Sequence, residues 1–331
     1  MSGHRLWLLR LVPQRRHGRL LTGVVILVVL LGWFWQAGVF LGPGRGASGA
    51  AAFFAVILAY IVPVFHYITE RTRHAFDELA PHLDADVGRI DSWRRGIDHK
   101  SPRWIVVNLA IGTMAWIAHT ILLYRGPAAV SSLNGEAWFA ILTGPAFVWI
   151  VMTCTVHALI DNARLFKRLA RHVRIDLVNP TPLCAFARVA VISTLAIIGA
   201  QAAFPIMLID PAGAAVAAVP ALIVTTAALA VLFILPIWPI HHEIIAVKQK
   251  ELDRINALLC KAPANASANE HDEAQRIAYL NPYLVYRREI AAVHEWPFDT
   301  GITTRLAFYL IIPPATWLGA ALISVAVERF V

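Results

Sequence analysis

Hydrophobic and polar positions along this chain come in blocks rather than in alternation. Long apolar runs are separated by shorter charged stretches, and neither a 3.6-residue nor a two-residue period dominates them. Each run is close to the roughly 20 residues needed to cross the hydrocarbon of a bilayer as a helix, the form in which every backbone group is satisfied internally. Seven spans are predicted, from Leu20 to Leu41, Gly49 to Ile68, Trp104 to Tyr124, Trp138 to Ile160, Arg188 to Ile209, Ala221 to Ile240 and Arg305 to Val327. Gln201 and Pro205 interrupt the fifth, and the link from Asp210 to Pro220 is short and nearly apolar. A buried hairpin is therefore the alternative for the fifth and sixth; each arm is long enough to cross, and they count as two.

Composition agrees with this pattern. The 331 residues are 58% hydrophobic and 15% charged, with a mean hydropathy of +0.61, which excludes a soluble metabolic domain and a secreted disulfide scaffold. The formal charge of +8 would suit a nucleic-acid partner if read alone. Its distribution gives another reason. Of the 29 Lys and Arg, 26 fall in the N-terminal segment and in every second connection, leaving Arg45, Arg125 and Arg329 on the opposite face. This asymmetry predicts a cytoplasmic N terminus and an external C terminus. It also sets the excess charge against an anionic cytoplasmic leaflet, with no nucleic acid required. Cys154, Cys184 and Cys260 include no pair on the oxidising side.

The expected fold is thus all-α: a polytopic transmembrane bundle of seven spans with a cytoplasmic helical hairpin. Residues 1–19 form a basic cytoplasmic segment, in which leucines and Trp7 interleave with arginines as in a helix lying in the interface. Residues 20–240 hold six spans and two helical cytoplasmic loops, and 305–331 the seventh span. Between them, residues 241–304 form the hairpin and an elbow. Ile244, Val247 and Ile255 on one arm and Ile277, Leu284 and Ile290 on the other form apolar stripes that need covering, by each other, by a second copy or by a cytoplasmic protein. In the elbow Trp296, Pro297, Phe298 and Asp299 combine interfacial aromatics, a helix stop and a cap for the next helix. Upstream, Ser101-Pro102-Arg103 reads as the capped start of the third span.

Candidate chemistry is sparse. There is no phosphate-binding glycine loop, no serine in a nucleophile elbow and no paired His-x-x-x-His with a catalytic carboxylate, so an enzyme is not the expected reading. No span has Asp, Glu, Lys or Arg at its centre, which argues against ion-coupled transport. The buried polarity is neutral: Gln36, His119, Gln201 and Thr225 either line a common polar cavity or act as separate helix-to-helix hydrogen bonds. His66, His157, His241 and His242 all fall near the cytoplasmic boundary, where a haem or metal site is the sharper reading and solvated interfacial rings the plainer one; no cofactor is expected. Pro313 and Pro314 together remove two amide donors from the last span and mark a candidate distortion or gate.

The stretches "VRIDLVNPTPLCAFARVAV" and "HEWPFDTGITTRLAFYLIIPPATWLGAALI" resemble a group of uncharacterised bacterial multipass membrane proteins with Trp-Pro-Phe-Asp before the last span, over the part of the chain from Arg171 onward. The resemblance implies a bacterial inner-membrane protein and transfers no activity. Three functions remain open from the residues: a channel or passive facilitator for an ion or small polar solute, a membrane sensor or scaffold acting through the hairpin, and a haem- or metal-binding protein.

Overall fold

A computed structural model describes residues 4–15, 17–40, 48–123, 136–209, 214–260 and 270–298, and beyond these Thr304, Ile311 and Ala315. A short strand β1 (His4–Arg5) and a single helical turn α1 (Trp7–Arg10) precede α2 (Gly18–Gln36) and α3 (Ser48–Leu79). After α4 (Val87–Asp98) and β2 (His99–Lys100) come α5 (Pro102–Leu123), α6 (Glu136–Leu169), α7 (Cys184–Gln201), α8 (Ala214–Cys260) and α9 (Glu270–Ala292). Three short 3-10 turns, Ala80–His82, Thr181–Leu183 and Phe204–Ile209, cap or link them.

Six of these helical stretches are long and apolar enough to cross a membrane: Gly18–Gln36, Ser48–His82, Pro102–Ile121, Leu142–Leu169, Thr181–Met207 and Ile223–Cys260. This corrects the expected count of seven. The run from Arg305 to Val327, with Pro313 and Pro314, lies outside the described residues except for Ile311 and Ala315. Among the described residues no seventh helix of that length and hydropathy is found. With six spans the placement of the two termini on opposite faces loses its basis. The two ends of the bundle are therefore named here by charge, as a basic end and a far end.

The helices differ from the apolar runs in length. α8 is one helix of 47 residues, about 70 Å long at 1.5 Å per residue, against about 30 Å of hydrocarbon. α3, with 32 residues, and α6, with 34, likewise outrun the membrane. All three project at the basic end. Pro63 in α3 and Pro145 in α6 are absorbed without a break. At the far end α2 stops where Gly38 adopts a left-handed φ of 71°, and the Gly38 and Val39 amides return to the Trp35 and Phe34 carbonyls.

Packing follows from this layout. α3 is the central element, touching α2, α6 and α7, while α5 lies against α6 and α8 against α7. Phe53, Phe54, Phe65, Leu159 and Ile197 belong to the core inside the membrane-crossing part. A second core, with Phe76, Leu79, Phe166, Leu169, Phe186 and Ile240, continues along the same helices at the basic end. A third, of Leu177, Ile255 and Ile290, joins the tip of α8 to α9. The N-terminal segment takes part as well: β1 pairs antiparallel with β2, and Leu6, Leu8, Leu9 and Val12 are buried in the first core rather than laid on a lipid surface.

Ion pairs tie the basic end together. Arg19 meets Glu70, Arg94 meets Asp77 and Arg188 meets Glu78, so α2, α4 and α7 are each clipped to α3. The side chains involved are more than a third exposed, so each pair contributes at most about 1 kcal/mol. Cys154, Cys184 and Cys260 are not joined in disulfides.

Candidate functional site

A connected, partly buried polar group sits where α5 enters the bundle. Ser101 starts that helix, its hydroxyl accepting from the Trp104 amide at 3.2 Å as the Ser-Pro-Arg spacing predicts. Lys100 precedes α5 in β2, Trp104 and Asn108 stand one turn apart on one face of α5, and His157 and Asp161 do the same on α6. Asp161 Oδ2 accepts from Lys100 Nζ at 3.3 Å and from the Trp104 indole at 2.9 Å. Its Oδ1 faces His157 Nε2 at 3.7 Å and Arg164 at 3.5 Å.

Asn108 is fully buried and sets the orientation of its neighbours. Its amide nitrogen donates to the Trp104 carbonyl at 2.8 Å, so its oxygen is turned toward His157 Nδ1, also at 2.8 Å. That contact requires the proton on Nδ1 and leaves Nε2 toward Asp161. Lys100 is held further by the Gly96 carbonyl at 3.1 Å. Burial pushes its ammonium below the ordinary lysine range, and the Asp161 carboxylate pulls back in the opposite direction. Two residues before Lys100, at the end of α4, buried Asp98 accepts from Arg73 at 3.4 Å and from the His99 ring at 2.7 Å. The group holds charge at the membrane boundary and locks α5 to α6. It presents no nucleophile with a base, and no pair of carboxyl groups.

The neutral polar residues separate into three places. Gln201 Nε2 donates to the Thr225 and Thr226 hydroxyls, each at 3.1 Å, linking α7 to α8. His119 packs against Trp149 with ring centres 5.6 Å apart and lines a cavity of about 60 Å³ with Tyr60 and Thr155. Gln201 and Thr225 do not line that cavity, whose walls are almost entirely hydrocarbon. Gln36 is exposed at the end of α2.

The four boundary histidines also disperse. His157 belongs to the Asp161 group, and His66 lines a pocket with Arg19 and Asp98. His241 donates to the Glu295 carbonyl at 2.9 Å and stacks on Trp296, with ring centres 3.8 Å apart and planes 12° from parallel. His242 meets Trp238 edge-on. Among the described residues no three His, Cys, Asp or Glu side chains gather to hold a metal ion, so the haem or metal reading has no site to rest on. In the elbow, Phe298 stacks on Phe233 and Pro297 is buried, so the segment after α9 is pressed onto α8. Asp299, Pro313 and Pro314 lie outside the described residues.

Lys100, Trp104 and Asp161 had no place among the sequence-derived candidates. The signal was available: Lys100, Trp104 and Asn108 at four-residue steps, and His157 with Asp161 one turn apart. Nothing local, however, shows that the two faces meet. The chain matches no protein-family model, no curated protein and no solved structure, so its character as a multipass membrane helix bundle rests on its own residues.

Proposed function

We propose that this protein is a membrane-embedded scaffold or sensor that presents its helical hairpin to a protein partner. The observation that carries the reading is the continuity of α8. A single 47-residue helix supplies both a membrane-crossing segment and the inner arm of the hairpin, so a displacement in the bundle is transmitted rigidly to the tip. The hairpin is ordered against that arm. Lys248 donates to the Val293 carbonyl at 2.9 Å, Tyr286 to Glu251 at 3.3 Å, and Arg287 to Asn256 at 2.9 Å. With Ile290 turned inward, Ile277, Leu284 and Val285 on α9 remain more than half exposed. Three large apolar side chains on the charged part of a helix suit a protein surface better than water.

A passive facilitator is the second reading, and the cavity beside Tyr60, His119 and Thr155 is what favours it. One experiment separates the two. A photo-crosslinking residue at Leu284 is expected to give a discrete adduct in the protein's own membrane, and Val285→Glu to remove it. Purified protein in liposomes is expected to pass small solutes no faster than empty vesicles. Flux that persists in the Val285→Glu variant, with no adduct from Ile277, Leu284 or Val285, overturns the scaffold reading in favour of the facilitator.

A further inference from the structure

An open groove of about 550 Å³ runs along the outer surface where α2 crosses α3. Gly23 lets the helices meet there: a β-carbon at this position would stand 3.0 Å from the Ala59 carbonyl oxygen. That carbonyl is the one whose helical donor Pro63 removes. The walls are hydrocarbon, with Leu20, Val24, Leu27, Val56 and Val64 along them. From Arg19 to Leu27 the groove is about 12 Å long at 1.5 Å per residue, close to the roughly 15 Å depth of one leaflet's hydrocarbon.

The basic end of the groove is charged. Arg19 and Tyr67 close it, and the guanidinium groups of Arg19 and Arg71 each lie 5.3 Å from the centre of the Tyr67 ring. Arg19 also lines a second pocket of about 370 Å³, which continues past it between Arg15, Arg73, Glu70 and Asp98. Arg19 pairs with Glu70 and Arg73 with Asp98, so two carboxylates meet two of the four guanidinium groups. Arg15, lining the second pocket, and Arg71, over the Tyr67 ring, are exposed and carry the remaining positive charge.

We infer that this groove is a binding site for one phospholipid with an anionic headgroup. An acyl chain lies along the apolar walls, and the phosphate sits among Arg15, Arg19 and Arg71. Both halves of the site are needed for this assignment. A free anion has no use for a hydrocarbon trench of leaflet depth, and a zwitterionic lipid leaves the excess arginine charge unmet. The inference is independent of the hairpin reading, because the groove lies on α2 and α3.

Native mass spectrometry of the full chain, exchanged from detergent into equal amounts of phosphatidylglycerol and phosphatidylcholine with the same acyl chains, tests it. One phosphatidylglycerol is expected to be retained in preference. Arg15→Gln and Arg71→Gln, which leave both ion pairs intact, are each expected to lower that preference about fivefold, the equivalent of about 1 kcal/mol per interfacial arginine. Val56→Trp, filling the groove, should abolish retention; Val24→Trp, at an already exposed position, repeats the test where Val56→Trp disturbs packing. Glycerol phosphate and inorganic phosphate should not bind. Equal retention of both lipids, unchanged retention in the filled-groove variants, or equal binding of glycerol phosphate overturns the proposal.

Discussion

Lys100 Nζ and Asp161 Oδ2 stand 3.3 Å apart where α5 enters the bundle, with the lysine side chain only 8% exposed and the carboxylate 24%. Neither charge is well hydrated, and each depends on the other. Lys100→Met or Asp161→Asn alone strands the remaining charge, which in a fully buried pair costs 3–5 kcal/mol; with the carboxylate partly wet, about 2 kcal/mol is expected. The double variant should cost less than the two singles together. Unfolding in detergent, run as a double-mutant cycle, checks this, and additive costs would show that the pair does not interact.

The same lysine predicts a pH dependence. Its folded-state pKa lies below the ordinary value of 10.5, chiefly through desolvation. Between the two values the unfolded chain holds the proton more than the folded chain does, so stability rises with pH through that alkaline window and levels off at the ordinary lysine value. Lys100→Met should flatten this limb of the stability profile. Lys100→Arg, which stays charged, should flatten it too while remaining less stable throughout.

At Gly112 α5 packs closely on α6. A β-carbon there would meet the Ile150 α-carbon at 2.8 Å, a backbone atom that cannot swing aside. Gly112→Ala should therefore destabilise by about 1–3 kcal/mol, the usual cost of overpacking. Gly96→Ala is the control: open space surrounds that position, and the better helix former should give a small gain of under about 1 kcal/mol. Equal effects at the two sites would mean that the α5–α6 crossing has room for a methyl group.

In the hairpin Ile255 and Ile290, each 1% exposed, belong to one buried cluster with Leu177. Ile290→Asp puts a carboxylate into that cluster at an expected cost of several kcal/mol, well above what the Lys248, Tyr286 and Arg287 hydrogen bonds return. Release of α9 should show as rapid tryptic cleavage after Arg287 and Arg288, with the membrane-crossing helices uncut. Ile277→Asp, at a position 61% exposed, should leave the digestion pattern unchanged.

What the sequence determined by itself was local. Apolar runs of membrane-crossing length become helices because hydrocarbon offers the backbone no other partner, and Ser101 caps α5 because its hydroxyl lies within reach of an amide three residues on. Helix ends and helix neighbours were decided by tertiary contacts. Hydropathy drops at Thr69, at Asp161 and again at His241, yet α3, α6 and α8 run on, because a second apolar core built from Phe76, Phe166 and Ile240 rewards the continuation. The count of spans rested on length and hydropathy alone, which make a run eligible to cross without placing it; among the described residues six helices meet both conditions. The meeting of Lys100 with Asp161 was hidden altogether. Lys100 stands just ahead of α5 and Asp161 on α6, and such groups meet only when two helices cross at a particular height and rotation, a close approach that Gly112 permits three turns further on.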